Sequence, residues 1–264
     1  MANQPQHKNL TGRDEATLAV KFIAICVVAF VAGISATAYF CRSMSGEMEM
    51  PGGWTMSMMW MRMPGQTWLT WMLSFLLMWL AMMVAMMMPS ALPMFLHTRR
   101  QLVSLCYMLF GYFAIWLLAG VGIYVLGVAF AMFTMRSELL SRAVPLLSGA
   151  SLIAAGLIQF TRWKMTHLLH CRSSFGCAIS CPQHETGFRL GCQQGMACCV
   201  CCSGLMTIEL VLGIMNPLVM IVVAIVIAAE KLLPRPEITA RLIGIAAIFA
   251  GVIMMIPLHF QNLL

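Results

Sequence analysis

Apolar runs of close to twenty residues recur along this chain. That recurrence is its tightest constraint, because a hydrocarbon layer of ~30 Å is crossed by a helix of about 20 apolar residues. The runs are Phe22–Phe40, Thr67–Met88 just before Pro89, one within Leu102–Met135, and Ala143–Phe160. From Gly195 to Leu233 the chain stays apolar for longer than one helix needs. Asn216-Pro217 divides it, because proline lacks the amide donor and clashes with the preceding turn. The division gives Gly195–Met215 and Pro217–Leu233, and a last run covers Ala240–Phe260. With 61% hydrophobic and 9% charged residues, the chain has too few charges for a water-exposed surface, where about a quarter is usual. The expected fold is all-α: a polytopic transmembrane helical bundle of about seven spans, one integral membrane domain over residues 1–264.

Sixteen Lys and Arg against nine Asp and Glu give a net charge of +7. The basic residues sit between the apolar runs, which fits a bilayer and argues against nucleic acid as a partner. Lys8, Arg13, Lys21, Arg99, Arg100, Arg162, Lys164, Arg172, Arg189, Lys231, Arg235 and Arg241 fall on the side of the amino terminus, and only Arg42, Arg62, Arg136 and Arg142 on the other. Basic loops stay in the cytoplasm. The expected orientation has the amino terminus cytoplasmic and the carboxyl terminus outside. The first run has no clean A-x-A cleavage site behind it, so it is expected to remain as a span.

Sulfur is unevenly placed. Sixteen of the 27 Met lie between Met44 and Met94, and eight of the 11 Cys between Cys171 and Cys202. The orientation puts a Met-rich loop, residues 41–66, outside, and a Cys-rich loop, residues 161–194, in the reducing cytoplasm. Thiols persist there, while thioethers tolerate the oxidising side better. Met44, Met48, Met50, Met56, Met58, Met59, Met61 and Met63 form M-x-M and M-x-x-x-M spacings like those of copper uptake and resistance proteins. An amphipathic segment lying on the outer leaflet, anchored by Trp54, Trp60 and Trp68, is the competing reading.

The densest constellation is Cys198-Cys199-Val200-Cys201-Cys202, two overlapping C-x-x-C pairs. At ~100° per residue a helix brings Cys198, Cys202, Met206 and Glu209 to one face, flanked by Cys201. Such a column suits a soft ion: Cu(I), Zn or an Fe–S centre. Cysteine is also a small, often buried apolar residue, but four in five residues at a membrane boundary are hard to explain as packing. Four on one helix cannot all converge on one ion, which ranks copper above zinc. A helix starting near Cys198 would also favour the thiolate. Met82 and Met86, one turn apart on the second span, are candidate auxiliary ligands, with packing the alternative.

Glu209 is the only acidic residue well inside a span. It fits a proton site, a ligand, or a partner of Asn216. Glu230-Lys231 reads as a boundary pair, and His167, His170 and His184 as loop histidines with ligand potential. Haem-attachment, nucleotide-binding and metalloprotease motifs are absent, and no enzymatic activity is expected.

Several short pieces together resemble the DUF2182 family of bacterial integral membrane proteins, predicted to bind metal. They are Ala85-Met86-Met87-Met88-Pro89, Cys171-Arg172-Ser173, Cys198 with Cys201-Cys202 and Leu205-Met206, Gly213-Ile214-Met215-Asn216, and Glu230-Lys231-Leu232, in the family's order over residues 67–260. Where the family pattern near the cysteines has histidine, glycine and tryptophan, this chain has Gln194, Val200 and Ser203. The histidine's role therefore does not carry over, and the extra Cys199 is the candidate substitute. The resemblance implies metal binding in a bacterial inner membrane.

The leading expectation is a multi-pass protein of that membrane that binds a soft ion, copper as Cu(I) before zinc, for import, storage or delivery to a metal-receiving partner. Cys198, Cys199, Cys201, Cys202, Met206, Met82, Met86 and Glu209 are its candidate ligands. A thiol–disulfide or electron-transfer protein using the C-x-x-C pairs is the alternative. A membrane assembly factor whose Met and Cys are packing is the third reading.

Overall fold

The computed structural model describes residues 12–43, 46–61, 65, 67–97, 102–169, 171 and 187–261. Lys8, Met44, Arg62, Met63, Arg99, Arg100, His170, Arg172, Ser173 and His184, named above, lie outside the described residues. Helix α1 spans Gly12–Ser43, α2 Trp68–His97, α3 Leu102–Arg136, α4 Glu138–Ile158, α5 Gly187–Leu212, α6 Pro217–Leu232 and α7 Pro236–Gln261. A short helical segment over residues 162–169 follows α4.

Six of these helices are long and apolar enough to cross a membrane. The exception is α6, whose 16 residues rise only about 24 Å at ~1.5 Å each. Lys231, near its end, meets Ser90 of α2 and Cys198 of α5, and Glu230 meets Lys164 beyond α4. Pro51, between α1 and α2, meets Ser141 at the start of α4. These contacts mark two ends of the bundle, one at Lys231 and the other at Pro51.

Two of the boundaries that differ from expectation bear on the site. Helix α2 does not stop at Pro89 but continues through Pro89 and Pro93 to His97. Neighbouring helices and hydroxyl side chains satisfy the backbone groups that proline frees in a membrane helix; here those are the carbonyls of Ala85 and Pro89. Helix α5 begins at Gly187, eight residues before the expected Gly195, which shortens the Cys-rich loop. Gly187, Gly191 and Gly195 recur every fourth residue on one stripe, and a Cβ on each would run into the Ser104, Met108 or Tyr112 carbonyl of α3. Small residues let membrane helices approach backbone to backbone. What reads as a polar, glycine-rich loop is a helix-packing seam.

The described part of the Met-rich stretch folds back on itself. Strands β1 (Glu47–Met50) and β2 (Trp54–Ser57) form an antiparallel hairpin, with Met48 opposite Met56 and Met50 opposite Trp54. Gly52 (φ +111°) and Gly53 (φ +73°) make its turn in the left-handed region that glycine tolerates. The Trp54 indole donates to the Ser141 carbonyl at 2.9 Å and the Ser141 hydroxyl to that of Pro51 at 2.7 Å. Met50 and Met56 pack against Ala131 of α3, and Met59 joins the main core. For these three methionines the structure uses the side chain as packing. The centre of the bundle is α2 and α5, whose apolar windows are 56% and 50% buried against 17% for α1.

Candidate metal centre

Helical periodicity decides which α5 side chains point inward. Cys198, Cys201, Cys202, Met206 and Glu209 are all buried, while Cys199 is only half-buried and Ser203 is exposed. The Cys202 sulfur lies 3.9 Å from that of Cys198 and 3.6 Å from that of Cys201. Sulfurs sharing one ion through bonds of ~2.3 Å at tetrahedral angles stand about 3.8 Å apart, so both separations are those of ligand edges. They are also far too long for a bonded pair of ~2.05 Å; these cysteines are reduced. Neither of these close pairs is a C-x-x-C pair: Cys198 and Cys202 are one helical turn apart, and Cys201 and Cys202 are adjacent in the chain.

A fourth thiol comes from elsewhere. Cys171, after the 162–169 helix, is buried, lies beside Cys198 and Cys201, and shares a small cavity wall with Cys198. Cys171 was quoted in the family resemblance but not assigned to the site. Four thiols thus gather from two segments, and the objection that one helix cannot present four no longer separates copper from zinc. Among the described residues, no three His, Cys, Asp or Glu side chains already stand as a metal-holding group. The thiols instead hydrogen-bond one another and two outside donors.

Those donors are Tyr112 and Lys231. The Tyr112 hydroxyl donates to the Cys198 sulfur at 2.9 Å and the Lys231 ammonium at 2.8 Å. This replaces the expected support from a helix terminus. Cys198 sits eleven residues inside α5, about 16 Å from its start, and the helix dipole acts only within the first turn. Glu230-Lys231 is likewise not a boundary pair. Both residues are buried, Lys231 facing Cys198 and Glu230 paired at 2.9 Å with Lys164, which is itself 2% exposed. The Lys164 ammonium also donates to the Cys201 carbonyl at 2.6 Å. Sequence reasoning missed this network, whose one linear signal is a charged pair closing an apolar run.

Met82 and Met86 are buried in the same core. Two further α2 methionines reach the centre: Met87, with its sulfur 4.0 Å from the Lys231 ammonium, and Met94, on the cavity wall. Gln194, in the place of the family pattern's histidine, lines that cavity too. Met206 lies one turn past Cys202. Glu209 is a further turn on, about 10 Å along the axis from Cys202, with its Oε1 buried and without a hydrogen-bond partner. The Asn216 side chain accepts from Leu218 and Val219 at the start of α6, so it is committed elsewhere. His167 stacks edge-on against Trp163, with ring centroids 4.6 Å apart.

A buried cluster of reduced thiols with a thioether nearby, inside a helical bundle with six apolar candidate spans, has the donor chemistry that soft metals prefer. The family model of the PpoB2 copper chaperones matches residues 76–254, from within α2 to within α7 and including every residue of the cluster. The chain belongs to that family. No curated protein and no solved structure matches it.

Proposed function

We propose that this protein is a membrane-embedded copper carrier, not an enzyme, that holds Cu(I) on two or three thiolates and passes it to a receiving protein. The observation that carries the reading is the convergence of Cys198, Cys201 and Cys202 with Cys171 inside the family-matched region. Thiolates are preferred ligands of Cu(I), and low coordination lets two or three neighbours suffice. Met206, or a methionine of α2, serves as auxiliary ligand. Cys199, half-buried, stands outside the ligand set.

The proposed setting is a bacterial inner membrane with the amino terminus in the cytoplasm. The basic asymmetry then puts the thiol end of the bundle on the cytoplasmic side, where thiols stay reduced, and the hairpin outside. Import, storage and delivery all use the same centre. Delivery is favoured because Cys171 belongs to the segment between α4 and α5, at the end of the bundle that a cytoplasmic partner can reach.

Elemental analysis of protein purified anaerobically in detergent tests the reading. Copper retained by the unaltered protein and lost from Cys201→Ser/Cys202→Ser supports it, as does X-ray absorption with two or three sulfur neighbours. Undiminished copper in the double variant rejects this site. A regular four-sulfur shell filled by zinc rejects the choice of metal.

A further inference from the structure

The Lys231 ammonium is buried among sulfur and hydroxyl groups. Its described contacts are the Cys198 sulfur at 2.8 Å, the Ser90 hydroxyl at 3.4 Å and the Met87 sulfur at 4.0 Å. The adjacent carboxylate, Glu230, is turned to Lys164 at 2.9 Å. Burying a charge is costly unless an opposite charge or polar partners offset the lost hydration. Lys231 also lines a cavity of about 10 Å³ with Ser90, Tyr112, Cys171, Gln194 and Cys198. A space of that size admits one water or one ion. A lysine has thus been placed, at considerable cost, where two thiols, Cys171 and Cys198, border room for a single ion.

We propose that Lys231 is the fixed counter-charge of the metal–thiolate complex and thereby sets the charge of the ion the site accepts. This rests on the two-thiolate form of the copper reading above and deepens it. Two thiolates and one Cu(I) together carry a single negative charge, and the ammonium brings the buried assembly to zero. A divalent ion on the same two thiolates makes a neutral complex, so the assembly with Lys231 keeps a net positive charge. Each thiol that enters the coordination shell releases its proton to the medium. In a low-dielectric interior one uncompensated unit charge is enough to decide between ions. Lys231 is a specificity residue acting through its charge; it ligates nothing.

The full chain is titrated anaerobically in detergent with Cu(I) and, separately, Zn(II), each against a competing chelator. Lys231→Gln removes the charge without adding a sulfur ligand. It should lower the ratio of Cu(I) to Zn(II) affinity by about tenfold or more, the scale expected of one unit charge a few ångströms away. Lys231→Arg keeps the charge and should keep the preference for Cu(I). Ser90→Asp leaves Lys231 in place but sets a carboxylate beside it, so it should shift the ratio in the same direction as Lys231→Gln. It decides the matter if Lys231→Gln fails to fold. An unchanged ratio in a folded neutralised variant, with Cu(I) still bound by the unaltered protein, overturns the counter-charge and leaves the copper reading standing. If the unaltered protein takes up neither ion, the copper reading falls first and the counter-charge with it.

Discussion

The Lys164 ammonium joins the Glu230 carboxylate at 2.9 Å with both side chains only 2% exposed. It ties three segments together, since the same ammonium donates to the Cys201 carbonyl of α5. Removing one partner of a buried pair leaves the other charge uncompensated, at a cost of about 3–5 kcal/mol. Lys164→Met should therefore destabilise the bundle by roughly that amount, and adding Glu230→Gln should recover part of the loss. Thermal unfolding in detergent reads both. A single variant as stable as the unaltered chain would remove the pair from the account of what holds the thiol end together.

The glycine seam predicts a contrast within one helix. At Gly191 a Cβ would collide with the Met108 carbonyl, whereas at Gly204 it would meet the Ala155 carbonyl at an ordinary 3.8 Å. Gly191→Ala should cost about 1–3 kcal/mol by forcing α3 and α5 apart. Gly204→Ala should be neutral or slightly stabilising, since alanine favours a helix by ~1 kcal/mol over glycine. Equal unfolding temperatures for the two variants would contradict the seam.

Glu209 is buried with an unpartnered oxygen, at about 10 Å from Cys202 along the helix. Glu209→Gln preserves shape and removes the carboxylate. It should leave the fold intact and reduce metal uptake measured in cells, because buried intramembrane carboxylates mark ion or proton paths. Full uptake by the Gln variant would return Glu209 to a structural role.

The proposed orientation is checked from the carboxyl terminus. A reporter fused after Leu264 should behave as lying outside the cytoplasm, and one fused before Met1 as lying inside. Cytoplasmic behaviour at both ends would mean that α6 does not complete a crossing, the outcome its 16-residue length makes worth measuring.

The spans were legible because hydropathy is a local property, and so was the inward face of Cys198, Cys201 and Cys202, because helical periodicity is fixed by backbone geometry. Other features depended on the fold. Pro89 reads as a stop in sequence, yet neighbouring helices let α2 run through it. Gly187 to Gly195 reads as a loop because glycine has low helix propensity, and only the approach of α3 gives those glycines a purpose. Met87 and Met82 look equivalent in a methionine-rich helix; which of them reaches Lys231 is set by the rotation of α2 in the bundle. Cys171 and Lys231 lie 27 and 33 positions from Cys198 in the chain, and no local pattern links residues so far apart.

Tyr112 connects the seam to the sulfur it leads toward. Its carbonyl is what a side chain at Gly195 would strike, at 2.8 Å from the Cβ, and its hydroxyl holds Cys198 one turn further on. One residue of α3 thus gauges both the gap between two helices and the position of a thiol. Enlarging Gly195 would push α5 outward and stretch the Tyr112–Cys198 hydrogen bond without touching any sulfur. Loss of metal handling in such a variant would be a change of alignment rather than of chemistry, and screens that look for ligands by loss of function would register glycine as one.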